Sequence, residues 1–505
     1  MIKFFRKYHK WLGLGVTLFL LLFSLSGIVL NHRKFFSSVD VTRNILPKEY
    51  RYSNWNNASV KGSEQIGQDS ILIYGNIGIW LTNNNYTDFS DFNRGLPKGI
   101  DNRKIEKIHV STKNKILAGT YFGLFEFDKT KAQWVKVLLP VEEERITDII
   151  QKNDTILVMT RSFLLGSTNL NEFNTIVLPE PVNYDNKIGL FKTLWVVHSG
   201  EIYGIPGIIF VDLVGVIFIF LSLTGLIYFI NPYIIKNRIR KQLDSLKVKR
   251  VSKFSLKWHN KIGWISILFL IITAATGMFL RPPLLIPIAE RKVSKLPYTE
   301  LDTPNPWFDK LRKIIYHENF NGFLVATSEG VYWADKDLNT ELKPIDNQPP
   351  ISIMGVNSYE LMSDTTLLVG SFEGLFLWNF TNGEIINAFT KKAYQKPERR
   401  GPPIGENMVA GLITKANGEK VVFDFNSGAS IMDSRANFVK MPEKIQQQAI
   451  SLWNVALEFH TARIYKVFMG GFYILIVPLT GLFTLFILIS GFIVWIKLYW
   501  EKPTS

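Results

Sequence analysis

The 505-residue chain contains no cysteine. Disulfide bonds, thiolate-bound zinc, iron–sulfur clusters and covalently attached c-type haem are therefore excluded, whereas a non-covalently bound haem is not. No Walker A, GxGxxG, HExxH or nucleophile-elbow pattern stands in a suitable context either. Charge is scarce within the long apolar runs, although the chain as a whole carries a formal net charge of +15.

Four apolar runs are long enough to be membrane spans. They are Trp11 to Leu30, Ile205 to Ile230, Ile262 to Leu280 and Val467 to Ile496, and Asp212 is the one formal charge within them. The first run has 20 uncharged residues, about 30 Å as a helix. Because it is long for a signal peptide and lacks a small-x-small cleavage site, we expect a retained anchor. The sequence thus predicts a polytopic α-helical membrane protein in contact with the lipid bilayer.

Basic residues next to these runs predict the orientation. They cluster before the first run, between the second and third, and after the fourth. The positive-inside rule then places both termini in the cytoplasm and leaves the charge facing anionic lipid rather than nucleic acid. The predicted segments are the cytoplasmic N-terminus and first span 1–30, outer segment 31–204, second span 205–230, basic cytoplasmic loop 231–258, third span 259–280, outer segment 281–466, fourth span 467–496 and cytoplasmic tail 497–505.

The chain contains an internal duplication. The sequence H-K-W-L-G at His9 recurs as H-N-K-I-G at His259, and 259 − 9 = 250. Likewise H-S-G-E-I-Y at His198 precedes the second span and H-T-A-R-I-Y at His460 precedes the fourth. Since both halves begin and end inside, we expect parallel repeats about an axis along the membrane normal and a four-helix bundle. Matching Ser/Thr–Gly pairs lie at Ser26-Gly27 and Thr276-Gly277, and at Thr224-Gly225 and Ser490-Gly491.

The outer segments also contain repeats. Residues Ile116 to Phe127 resemble Leu367 to Trp378, Ile71 to Trp80 resemble Phe323 to Trp333, and weaker copies begin near 156 and 421. Each is an apolar strand, a glycine-containing turn and a second strand. The spacing is typical of propeller blades, so a large all-β, propeller-like domain of about six blades is predicted. Two separate antiparallel sheets are the alternative.

The histidines suggest a cofactor. His9 and His259 lie at the cytoplasmic ends of the first and third spans, and His198 and His460 lie just outside the second and fourth. A pseudo-two-fold axis would bring each pair to the two faces of a haem, whose iron takes one imidazole on each side. Interfacial hydrogen bonding is the alternative. His32 has no repeat partner, so it either replaces a member of a pair as ligand or anchors the helix end.

Arginines and glycines near these histidines fit the same hypothesis. Arg463, and either Arg33 or Arg281, could pair with the propionates of a haem, or could instead extend to the interface. Gly13, Gly27, Gly263 and Gly277 would allow a flat macrocycle or another helix to approach closely.

With these residues in place, the chain resembles the PepSY-associated transmembrane helix family. The resemblance rests on R-K-Y-H-K-W-L-G-L from Arg6, the S-G or T-G near the end of each span, and H-S-G-E-I-Y-G from His198. Members include iron-regulated inner-membrane proteins and ferric-siderophore reductases of Gram-negative bacteria. The resemblance implies two b-type haems held by helix-end histidines and electron transfer to periplasmic ferric iron. It also implies an inner-membrane location with a periplasmic outer domain, although neither outer segment contains a PepSY module.

Two functions follow as hypotheses. The first is a haem-containing electron conduit that reduces a periplasmic acceptor, such as a ferric chelate or ferric siderophore. The second is a membrane-anchored adaptor, not an enzyme, whose propeller binds other envelope proteins. Transport is the weakest alternative because the spans contain few polar residues to line a path.

Overall fold

In the computed structural model, the described residues are 2–142, 144–352, 354–395 and 405–500. They divide into two compact units. The helical unit comprises the described residues of Met1–Phe36, Asn186–Thr303 and Leu452–Ser505. The β unit comprises those of Ser37–Asp185 and Pro304–Ser451. Residues 501–505 of the predicted tail lie outside the described residues.

Long apolar helices dominate the helical unit. Three helical segments are long and apolar enough to cross a membrane, namely Ile2–Asn31, Glu201–Arg240 and Arg463–Tyr499. Many of their apolar side chains are exposed, as at Leu18 and Leu213, which is expected for surfaces that face lipid. The chain is therefore a membrane protein. The α-helices are α1 (Ile2–Asn31), α2 (Arg33–Phe36), α3 (Leu190–Ser199), α4 (Gly204–Arg240), α5 (Leu246–Ile265), α6 (Ile267–Phe279), α7 (Glu443–Gln446), α8 (Leu452–His460), α9 (Lys466–Met469) and α10 (Ile476–Trp495).

The predicted third span is not one straight helix. Helices α5 and α6 meet at Ser266 with a bend of 71°, so the pair counts as a fourth span only if both helices are taken together. The hydroxyl of Ser266 donates to the carbonyl of Ile262 at 2.7 Å, a bond to the preceding turn that favours bending. The basic segment 231–258 is largely helical rather than a loop, since Lys, Arg and Leu are good helix formers.

Helix α1 packs against both α4 and α10, while α5 packs on α4 and α6 packs on α10. Val214, Phe218 and Leu270 form the buried apolar centre of this arrangement. The two short helices α3 and α8 pack on α6 and α1, respectively. Each of these short helices ends with a histidine in its last turn, which places His198 and His460 beside the long helices.

The β unit consists mainly of six antiparallel sheets, each formed by strands consecutive in the chain. Five have four strands and the last described has three. The strands of the six sheets are β2 (Gly62–Gly67), β3 (Ser70–Gly75), β4 (Gly78–Thr82) and β5 (Phe89–Asp91); β6 (Ile105–Val110), β7 (Ile116–Thr120), β8 (Gly123–Asp128) and β9 (Gln133–Val137); β10 (Ile146–Lys152), β11 (Thr155–Thr160), β12 (Leu164–Ser167) and β13 (Asn174–Ile176); β16 (Leu311–His317), β17 (Gly322–Thr327), β18 (Gly330–Asp335) and β19 (Lys343–Pro344); β20 (Ser358–Leu361), β21 (Thr366–Ser371), β22 (Gly374–Asn379) and β23 (Ile385–Asn387); β24 (Val409–Thr414), β25 (Lys420–Asp424) and β26 (Gly428–Ile431). The β unit also contains the short pair β1 (Asp40–Val41) with β27 (Ile450–Ser451), and the helical unit contains the short pair β14 (Lys187–Gly189) with β15 (Lys292–Ser294).

The repeated sequences are the second and third strands of these sheets. Gly123 and Gly374 begin the third strand of their sheets with φ of +141° and +143°, a conformation that favours glycine. Six apolar clusters fill the spaces between consecutive sheets, and one of them joins the first sheet to the last through Ile73 and Phe423. Each sheet therefore buries both faces, which explains its nearly continuous apolar strands.

Candidate functional site

Four predicted histidines come together in two pairs within the helical unit. The ring centres of His9 on α1 and His259 on α5 are 6.2 Å apart, and we call these the first pair. Those of His198 on α3 and His460 on α8 are 5.9 Å apart, and we call these the second pair. All four side chains are partly buried. The sequence repeats relate the two members of each pair. His9 and His259 stand 250 residues apart in matching sequences, and His198 and His460 stand in the matching sequences before the second and fourth spans.

In the first pair, a neighbouring helix determines the orientation of each ring. Nδ1 of His9 lies 3.0 Å from the carbonyl oxygen of Ile487 on α10. Nδ1 of His259 lies 3.0 Å from the hydroxyl of Thr224 on α4, and this hydroxyl donates its own proton to Phe220. Since both oxygens act as acceptors, Nδ1 of each ring carries the proton, and Nε2 keeps its lone pair.

The second pair repeats this arrangement with different helices. Nδ1 of His198 lies 3.0 Å from the carbonyl oxygen of Thr273 on α6. Nδ1 of His460 lies 3.0 Å from that of Phe23 on α1. A carbonyl can only accept, so Nδ1 again donates and Nε2 again keeps the lone pair. All four imidazoles therefore have the tautomer that a metal ligand through Nε2 requires.

The four Ser/Thr–Gly pairs of the sequence pack against these histidines, and we call each Ser/Thr–Gly pair the seat of the histidine that it contacts. Each contacts a histidine from another helix, with the hydroxyl near Nδ1 and the glycine against the ring edge. A Cβ atom added to the glycine would lie 2.6 to 3.4 Å from the ring Cε1. Of the four glycines expected to allow close approach of a macrocycle or a helix, Gly27 and Gly277 lie against His460 and His198. A Cβ atom on Gly13 would meet no atom within 4 Å, and one on Gly263 would lie 3.8 Å from Leu221. The four seats are Ser490-Gly491 for His9, Thr224-Gly225 for His259, Thr276-Gly277 for His198 and Ser26-Gly27 for His460.

His32 does not join either pair. Its Nε2 lies 2.5 Å from a carboxylate oxygen of Asp212 on α4. The other carboxylate oxygen accepts from the side-chain amide of Asn31 at 2.9 Å. The sequence drew attention to His32 and Asp212 separately, and only their contact in the structure explains a carboxylate within an apolar helix.

Two arginines lie near the second pair. The guanidinium of Arg463 forms an ion pair with Glu458, yet its Nε is buried without a hydrogen-bond partner in the described part of the chain. Partial burial and the positive charge of Arg463 together lower the pKa of Arg281, whose charge also acts on His460. The carboxylate of Glu458 pairs with Arg463 and also acts on Arg281, so it already offsets part of this positive charge. Arg33 instead lies over the ring of Trp453, 3.9 Å from its centre.

The two pairs are well separated along the helices. His9 and the seat of His460 at Ser26 are both on α1, and 26 − 9 = 17 residues correspond to about 25 Å of helix. Each pair therefore lies near a different end of α1. Among the described residues there is no group of three or more His, Cys, Asp or Glu side chains arranged for a metal ion. The candidate sites are thus two-ligand sites.

The fold and these sites define a class: a membrane-spanning protein with two pairs of partly buried histidines and a large multi-sheet β unit. The model of the PepSY-associated TM region matches residues 2–231 and, a second time, residues 190–497. The chain belongs to this family, as the sequence resemblance indicated.

Several solved structures share a distant similarity with the chain. The extracellular domain of a hybrid two-component system of B. thetaiotaomicron has 10% identity and a TM-score of 0.38, covering 78% of this chain and 38% of its own. The WD40 β-propeller domain of Doa1 has 8% identity and a TM-score of 0.34, covering 82% and 86%. PorZ, a surface component of the type-IX secretion system of Porphyromonas gingivalis, has 11% identity and a TM-score of 0.30, covering 76% and 32%. No curated protein sequence matches. Similarities of this strength carry no conclusion about function.

Proposed function

We propose that the helical unit is a four-helix bundle that binds two b-type haems, one at each histidine pair. The observation that carries the proposal is the spacing of the rings. Two imidazoles that bind one iron from opposite sides, each with a nitrogen–metal distance of about 2 Å, have ring centres about 6 Å apart. The observed separations of 6.2 and 5.9 Å fit this value.

The surroundings of the rings support the same assignment. Hydrogen bonds from Nδ1 to oxygens of neighbouring helices orient histidine ligands and increase the basicity of Nε2. Each of the four histidines makes such a bond. Near the second pair, Arg281 and Arg463 are the cationic side chains that would bind the propionate carboxylates of a haem.

The arrangement is suited to transfer of electrons across the bilayer. Haem supplies one-electron chemistry when it is bound, and the protein sets its potential through ligands and burial. Aromatic side chains continue from the second pair into the bundle, since Phe23 lies 5.8 Å from His460 and Phe19 lies 6.2 Å from Phe23.

The basic residues indicate which side of the membrane each histidine pair faces. The positive-inside rule orients the basic segments and both termini toward the cytoplasm of a bacterial inner membrane. The first pair then faces the cytoplasm and the second pair faces the periplasm. By the same rule, the segments that form the β unit are periplasmic. The acceptor we propose is a ferric chelate, such as a ferric siderophore, in iron uptake.

For the β unit, we infer a six-bladed propeller. The sheets follow one another in the chain with an apolar cluster between each two neighbours, and the last sheet packs on the first. Closure of this kind leaves no sheet face open to water.

An absorption spectrum of the full chain, purified in detergent from cells supplied with iron, tests the proposal. We expect a Soret band, α-bands after reduction, and two haems per chain. Mixing the reduced protein with ferric citrate should restore the oxidised spectrum. A colourless preparation would exclude the haem assignment, whereas a coloured protein that ferric citrate leaves reduced would exclude only the acceptor.

The adaptor is the second candidate function. Leu138 and Val177 of the β unit are both 82% exposed. Single exposed apolar residues are ordinary on protein surfaces, so the test of this hypothesis is a bound partner. A defined envelope protein that co-purifies with a chain lacking any chromophore would support the adaptor and contradict the conduit.

A further inference from the structure

A groove of about 320 Å³ lies on the helical unit between α5 and the end of α10. Its lining includes Lys253, Lys257, Lys261 and Trp264 from α5, and Trp495 and Tyr499 from the other side. None of these residues belongs to the histidine pairs or to their seats. The groove therefore needs an explanation of its own.

One wall of the groove is cationic. Lys253, Lys257 and Lys261 follow one another at intervals of four residues, so they lie on one face of α5. Helix α5 contains no acidic residue. Within the described ranges no carboxylate pairs with the ammonium groups of Lys253 and Lys257. The ammonium group of Lys261 lies 5.2 Å from the ring centre of Trp258. In the part of the chain that the structure describes, this wall is therefore cationic, which favours an anionic ligand.

The floor of the groove is aromatic. The rings of Trp264 and Trp495 are stacked, with centres 4.7 Å apart and planes inclined by 18°. Trp264 remains 38% exposed. Next along the chain, Ile265 and Leu268 are 56% and 60% exposed, as is expected for apolar side chains that face lipid. A ligand that fits this groove has an anionic part and an apolar part.

We propose that this groove binds an anionic phospholipid. The phosphate lies against the three lysines, and an acyl chain runs over Trp264 toward Leu268. Tryptophan is common at the level of lipid headgroups, and basic pockets between membrane helices bind anionic headgroups. Free phosphate would satisfy the lysines but would leave the aromatic floor and the apolar surface uncovered. The proposal depends on neither the haems nor the electron acceptor.

Native mass spectrometry of the full chain in detergent, titrated with phosphatidylglycerol or phosphatidylcholine, tests the site. The triple variant Lys253→Gln, Lys257→Gln, Lys261→Gln removes the cationic wall. The matched control, Lys241→Gln, Lys247→Gln, Arg250→Gln, removes the same charge outside the groove. We expect phosphatidylglycerol to bind at least tenfold more weakly to the groove variant and within twofold of wild type to the control.

The other outcomes are equally decisive. An equal loss in both triple variants would mean diffuse attraction to the basic surface and would overturn the site. If phosphatidylcholine bound as tightly as phosphatidylglycerol, the charge of the three lysines would not determine binding, and the proposal would be wrong. Competition by millimolar inorganic phosphate would assign the groove to a free anion instead of a lipid. Circular dichroism of each variant verifies that the helices are retained.

Discussion

A Cβ atom on Gly277 would lie 2.6 Å from Cε1 of His198, well inside the van der Waals distance. The same relationship holds between Gly491 and His9, where the distance would be 2.8 Å. Glycine at these positions is therefore required by a ring from another helix rather than by the backbone of its own helix. The adjacent Ser or Thr brings a hydroxyl to the same ring. The Ser/Thr–Gly pair is thus a histidine seat that occurs four times.

Substitution of one seat should affect one histidine pair. We expect Gly277→Ala to displace the ring of His198 and to reduce the haem content by about one of two, with the first pair retained. The control is Gly13→Ala, because no atom lies within 4 Å of a Cβ at that position. Haem content per chain and the α-bands measure the effect. If Gly277→Ala kept both haems with an unchanged spectrum, the seat would have no positioning role.

Removal of a proposed histidine ligand should abolish one haem and leave the other bound. His9→Ala is expected to abolish the haem of the first pair and to leave the second. His32→Ala should retain both haems, because Asp212 occupies its Nε2. Redox titration followed by absorbance distinguishes the centres by their potentials. Loss of a haem in His32→Ala would contradict the pairing described above.

The two arginines near the second pair should tune its potential. A positive charge stabilises the reduced iron, so Arg281→Gln is expected to lower the midpoint potential of one haem only. Arg291→Gln, a change at an exposed position of the same unit, is the control. A shift of both haems, or of neither, would show that Arg281 does not act on the second pair.

Glu106 in the β unit provides a test of stability. Burial raises its pKa, but the charges of Lys61 and Arg145 outweigh this and lower the pKa to about 2. The stabilisation it contributes is present above about pH 4.5, the usual pKa of glutamate, and is lost as the pH falls toward 2.

We expect Glu106→Gln to destabilise the β unit by about 3 kcal/mol at pH 7, since it removes the buried carboxylate that pairs with both Lys61 and Arg145. The difference in the free energy of unfolding between wild type and Glu106→Gln should become smaller as the pH falls from 4.5 to 3. Thermal unfolding followed by tryptophan fluorescence measures it. A deficit that stayed constant over this pH range would mean that Glu106 has an ordinary pKa.

Much of the organisation could be predicted from the residues alone. The long apolar runs indicated the spans. The 250-residue spacing related His9 to His259, and the matching sequences before the second and fourth spans related His198 to His460, because hydropathy and duplication are properties of the chain itself. The strand repeats at Ile116 and Leu367 likewise predicted hairpins of a β domain. The bend at Ser266 could not be predicted, since a serine in an apolar helix bends it only where packing against neighbouring helices favours the bend.

The sequence by itself determined that this is a duplicated membrane protein with repeated histidines at the ends of its spans. Only the tertiary structure decided that His9 meets His259 and rests on Gly491, and that His32 binds Asp212 instead. The reason is physical: such contacts join residues hundreds of positions apart, and their distances depend on how helices pack against one another, which no local pattern of residues encodes.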